Sequence, residues 1–168
     1  MTPSLRVATV RDIPIEVHPS WFVTFILVTL TLAVGLFPLD RPGLPAAVYW
    51  TMGVAASLLF FLSVLIHELA HSLVALGHGI PIRRITLFIF GGLAQIGGEP
   101  DRPWVEFRVA IAGPLASLAL AGLFRLLMLL FAAVGADTLV VFTGYLARIN
   151  MVLAVFNMTP ALDRKSVV

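Results

Sequence analysis

Four apolar stretches constrain what this chain can become more than any motif does. They run over about 21–37, 46–76, 104–134 and 138–158, and a helix needs only about 20 apolar residues to cross the hydrocarbon layer of a bilayer. A soluble fold would have to cover all four with polar surface. Only 12% of the 168 residues are charged, 60% are hydrophobic and the mean hydropathy is +1.01, so that cover does not exist. The pattern predicts an all-α polytopic membrane protein with four transmembrane helices, read as one membrane-embedded domain over 1–168. Trp21, Trp50 and Trp104 all fall at predicted helix starts, where an amphipathic ring prefers the headgroup layer. The turn cluster from Pro38 to Gly43 is expected to end the first span, Gly77 to cap the second in the left-handed conformation, Asp137 to cap the fourth, and Pro160 to break it.

Between the spans the pattern changes period. Leu5 to Val17 alternates around Arg11-Asp12, predicting a strand or hairpin before the membrane. Ile82 to Phe90 and Leu93 to Ile96, joined by Gly91-Gly92, predict a small β-hairpin after the second span. Four spans put both termini and this hairpin on one side. That side carries Arg6, Arg11, Arg83, Arg84, Arg102, Arg164 and Lys165, against Arg41 alone on the other, so the positive-inside rule makes it cytoplasmic. No short cleavable apolar region precedes Trp21, so the amino terminus does not read as a signal peptide.

The composition also removes whole classes of function. With no cysteine, disulfides, thiolate-bound zinc and thiol catalysis are excluded, and a metal would have to sit on His, Asp or Glu. A net charge of +2 without a dense basic cluster gives no footing for nucleic acid. The implied surroundings are lipid, and the sequence is silent on oligomeric state.

Within the second stretch stands His67-Glu68-Leu69-Ala70-His71, an HExxH on a helix. One helical turn puts both imidazoles on one face, where they can share a zinc ion, with Glu68 beside them as candidate general base. With four histidines in the chain, coincidence explains the pattern poorly. Ionisable groups within a membrane helix cost about 2.5–3.5 kcal/mol each on insertion scales, so three within five residues are not filler. Internal hydrogen-bonding glue between helices is the bland alternative. Catalytic zinc commonly takes three protein ligands. Span four runs in the same direction as span two and ends in Asn157-Met158-Thr159-Pro160-Ala161-Leu162-Asp163. From pattern alone Asp163 is equally a third ligand or a residue of a solvated tail. His18 reads as a polar residue at the membrane surface and His78 as a loop residue. Arg125 and Arg148 fall near mid-membrane by counting, with no acid expected at matching depth. Gly113, Ser117 and Ala121 repeat small residues every four positions, the spacing that lets membrane helices approach closely.

The HELAH of span two, the hairpin ITLFIFGGLAQI, the AIAGPLASL opening of span three and the FNMTPALD end of span four occur in that order. Together they resemble the site-2 protease family of intramembrane zinc metalloproteases, in particular its bacterial and archaeal sporulation-factor-processing branch. The amino-terminal IPIEVHPSW is similar to the family's approach to its first span. The resemblance implies zinc held by His67, His71 and Asp163, Glu68 as catalytic base, a transmembrane protein as substrate, and cleavage near the cytosolic face. The family places its aspartate in an Asn-x-x-Pro segment followed by Asp-Gly. Here only Ala161 and Leu162 separate Pro160 from Asp163, and Arg164-Lys165-Ser166-Val167-Val168 follows it, so the chain reads as shortened at its carboxyl end. A rival expectation is a non-catalytic membrane protein of the same fold, acting as a binding or regulatory partner. A metal carrier would need ligand clusters at several depths, and only one exists.

Overall fold

The structure, a computed structural model, describes residues 4–98 and 102–163, with side chains as far as Met158. It is mostly helical, with four helices long and apolar enough to cross a membrane: Ser20–Asp40, Ala46–Gly77, Pro103–Ala133 and a fourth that begins at Asp137. The first rod comprises α1 (Ser20–Leu30), a π-helical segment (Thr31–Leu36) and α2 (Phe37–Asp40); α3 is Ala46–Gly77, α4 Pro103–Ala133 and α5 Asp137–Asp163.

Four strands form one sheet in the order β1-β2-β3-β4, from β1 (Leu5–Val10), β2 (Ile13–Val17), β3 (Ile82–Phe88) and β4 (Gly91–Ile96). The two hairpins anticipated separately are thus joined. β1 and β2 pair antiparallel about Arg11 and Asp12, whose φ of 47° and 66° place both in the left-handed region that a tight two-residue hairpin turn needs. β2 and β3 pair in parallel, Ile15 opposite Ile85 and Val17 opposite Leu87. A parallel pair requires a long crossover, and here the first two long helices supply it. Ile13, Ile80, Ile82 and Ile85 close over Ala75, with Leu65, Leu69, Leu76, Val105 and Val109 against them. The sheet is thereby fixed to the end of the bundle where α3 stops and α4 begins. At the opposite end Phe37, Tyr49 and Met52 pack with Phe142 and Tyr145.

Several boundaries differ from expectation. The first helix continues through Pro38 to Asp40, because the wider π-turn moves the hydrogen bonding there: the Phe37 N–H bonds the Leu32 carbonyl, five residues back. A proline ring clashes with the carbonyl four residues back only when the turn keeps α spacing. The left-handed residue after α3 is Gly79, with φ +79°, while Gly77 is the last helical residue. The hairpin turns at Ile89-Phe90, because Phe88 pairs with Gly91 and the two glycines open β4. The backbone of α5 remains helical past Pro160 to Asp163, a path with which the fixed φ of proline is itself compatible. Arg148 does have an acid within reach: its Nη2 lies 3.3 Å from Asp40 Oδ2. Depth by counting missed this pair because a long arginine side chain reaches several ångströms along its helix.

Candidate metal centre

His67, Glu68 and His71 lie on α3, on the turns that face α4 and the sheet. The Nε2 atoms of His67 and His71 are 3.1 Å apart. Two nitrogens on one tetrahedral zinc, at Zn–N distances of about 2.0–2.1 Å, would be about 3.3 Å apart, so the pair is close to ligand spacing before any ion is considered. The far side of each ring is held. His71 Nδ1 is 2.6 Å from the Val109 carbonyl oxygen and His67 Nδ1 is 2.8 Å from Ser117 Oγ. A carbonyl only accepts, so His71 carries its proton on Nδ1 and presents a bare Nε2 lone pair. Such outer hydrogen bonds are what orient metal-binding imidazoles.

Gly113 makes the room. A Cβ at that position would fall 2.6 Å from His67 Nε2 and closer still to His71 Nε2. Val109, Gly113 and Ser117 are successive turns of one face of α4, so this face supplies a carbonyl, a gap and a hydroxyl to the two imidazoles. The small-residue stripe expected to serve helix packing therefore also shapes the site. His67 is 1% exposed and Ser117 fully buried.

Glu68 lies against β4. A Cβ on Gly92 would stand 2.5 Å from Glu68 Cγ and 3.4 Å from its Oε1. β4 pairs with β3 on one edge and is the last strand in the order among the described residues, so its outer edge runs past the carboxylate. Sequence reading saw in Gly92 a turn residue; the approach to Glu68 is the signal that pattern could not carry.

Among the described residues no group of three His, Asp or Glu stands ready to hold a metal. The backbone of Asp163 ends α5, and its side chain lies outside the described residues. Two candidate ligands, each with an outer hydrogen bond behind its ring, thus stand together, which fits a zinc ion in ligand type and spacing. His18 is not brought to them; its Nδ1 is 2.8 Å from Ser20 Oγ where β2 passes into α1. His78 also lies apart, with Nδ1 2.8 Å from the Val74 carbonyl at the end of α3. Arg125 contacts Met128 Sδ at 3.4 Å. Asn150 was missed in the sequence: fully buried on α5, it donates to Leu146 O at 2.9 Å and to Ser63 Oγ at 3.2 Å. Ser63 is one turn before His67, so this amide ties α5 to α3 beside the site.

Comparison with known proteins follows the same line. The profile described as Peptidase family M50 matches residues 55–137, the stretch with the histidine pair and all of α4. A Synechocystis sp. protein named "Putative zinc metalloprotease sll0528" is 44% identical over 165 residues, covering 96% of this chain and 42% of that protein. "Zinc metalloprotease MJ0392" of Methanocaldococcus jannaschii is 33% identical over 166 residues, covering 96% and 42%. Among solved structures, the site-2 protease from Methanocaldococcus jannaschii superposes with a TM-score of 0.58 at 30% identity, over 94% of this chain and 65% of that one. The chain spans about two fifths of the length of the curated relatives it matches.

Proposed function

Because this chain belongs to peptidase family M50, the family of the site-2 proteases, we propose that it is a zinc-dependent endopeptidase of the membrane. Its substrates are transmembrane or membrane-associated proteins, cut close to the cytosolic face, with both termini and the sheet on that side. The observation that carries the proposal is the His67 and His71 Nε2 pair at 3.1 Å, each ring held from behind, with a carboxylate one residue along the helix.

His67 and His71 would hold the ion, with Asp163 as third ligand by resemblance to the family. Zinc bound there supplies Lewis acidity and a water acidic enough to be a nucleophile near neutral pH. Glu68 takes the proton of the attacking water and returns it to the leaving amine. The peptide bonds of a helical substrate are shielded by their own hydrogen bonds. The outer edge of β4 offers a remedy: an unwound substrate segment added there as a strand exchanges those bonds for bonds to β4 and lies alongside Glu68.

The test is cleavage in proteoliposomes against a panel of single-span substrates. The wild type cuts, chelation stops it and zinc restores it, while Glu68→Gln is slower by about 10²–10⁴, the usual worth of a positioned acid–base group. Equal cleavage by Glu68→Gln removes the base assignment. A wild type that holds zinc and cuts nothing points instead to a binding or regulatory partner of the same fold.

A further inference from the structure

We propose that Ser117 is a positioning residue that lets His67 change tautomer when the metal site fills, a role that rests on the zinc reading above. The two imidazoles are held by chemically different groups. Behind His71 is a backbone carbonyl, at 2.6 Å, which accepts only and so fixes the Nδ1–H tautomer with or without metal. Behind His67 is a hydroxyl, at 2.8 Å, which can donate or accept.

That difference matches what the geometry requires. Two neutral imidazoles whose Nε2 atoms approach to 3.1 Å would, with no metal between them, oppose two lone pairs unless one proton lies between the nitrogens. His71 Nε2 is bare, so His67 Nε2 carries it, and His67 Nδ1 is then an acceptor facing Ser117. The Ser117 hydroxyl donates. To ligate through Nε2, His67 must give up that proton and carry one on Nδ1 instead, leaving its total unchanged. Nδ1–H then donates to Ser117 Oγ, and the hydroxyl proton turns away, as helical serines do toward the carbonyl one turn back. Ser117 is fully buried, so bulk solvent does not compete for its hydroxyl. An alanine leaves a buried Nδ1–H without an acceptor in the metal-bound form. A second carbonyl in place of the hydroxyl would leave the metal-free pair of Nε2 atoms with no proton to share.

Zinc affinity by chelator competition and the ¹⁵N spectrum of histidine-labelled protein in liposomes test this together. In metal-free wild type, His67 is expected as the Nε2–H tautomer and His71 as Nδ1–H; zinc converts His67 to Nδ1–H and leaves the His71 tautomer as it was. Ser117→Ala is expected to weaken zinc binding about 10- to 100-fold, the usual effect of removing an outer hydrogen bond to a ligating histidine, and Ser117→Thr, which keeps the hydroxyl, to recover most of it. His71 stays Nδ1–H in every variant, which separates the role of Ser117 from general disruption of the fold. Zinc affinity in Ser117→Ala within twofold of wild type, or a metal-free wild type with His67 already Nδ1–H, overturns the proposal while leaving the peptidase reading intact. A wild type that takes no zinc on His67 overturns both.

Discussion

Gly92 of β4 lies against Glu68 of α3 so closely that a single methyl on the glycine would stand 2.5 Å from the Glu68 Cγ. The edge strand and the candidate base are therefore held at a distance only glycine permits. Gly92→Ala must move one or the other, and displacements of about 1 Å at a reacting group can cost about 10²-fold in rate. The expected outcome is cleavage reduced by about that factor at unchanged zinc content, because the two imidazoles face α4 and not β4. Zinc content and cleavage measured on one preparation check it; full activity shows that the strand yields without consequence.

Gly113 makes the complementary case on α4. A Cβ there would intrude between the Nε2 atoms, 2.6 Å from that of His67. Gly113→Ala is expected to lower zinc affinity at least 10-fold while the helices still form, since alanine is the better helix former. Metal titration beside a circular dichroism spectrum decides it, and an unaltered affinity contradicts the geometry of the site.

Most of the fold was legible because apolar length and the period of a membrane helix leave few alternatives. Trp21, Trp50 and Trp104 marked three helix starts to within a few residues. The parallel union of β2 with β3 was not legible, because short strands 65 or more residues apart carry no pairing signal once two helices intervene. The helix through Pro38 depends on a π-turn that no composition announces. At the candidate site, His67, Glu68 and His71 stand out by spacing alone, and the structure brings the two imidazoles together. Ser117 and Gly113 were visible only as small residues, since a stripe that packs helices and one that frames imidazoles look the same in sequence.

Arg148 and Asp40 give a test of packing at the far end of the bundle, where the pair ties the end of the first rod to α5 across 3.3 Å and Arg41 meets Asp137 at 3.1 Å. The Arg148 side chain is 65% exposed, so the pair is expected to contribute modestly, about 0.2–1 kcal/mol. A double-mutant cycle of Asp40→Asn and Arg148→Met on unfolding in mild detergent should return a coupling in that range. No coupling would mean that the two charges are solvated separately.

The cytoplasmic placement of the hairpin proposed above rests on the seven-to-one distribution of basic residues. Phe90 is 88% exposed at the hairpin turn, and the chain has no cysteine, so Phe90→Cys gives a single reporter. An impermeant thiol reagent added outside intact cells is expected to leave it unlabelled and to label it after the membrane is opened. Labelling in intact cells reverses the orientation.

Zinc per chain in purified wild type and in His67→Ala tests the central claim most directly, since it needs no knowledge of the substrate. Plasma mass spectrometry should find about one zinc per wild-type chain, about one in Glu68→Gln, which keeps both imidazoles, and a small fraction of that in His67→Ala, because one remaining imidazole, even with Asp163, is a weak anchor. Equal zinc in wild type and His67→Ala would contradict the account, for the pair of Nε2 atoms would then not be the metal site.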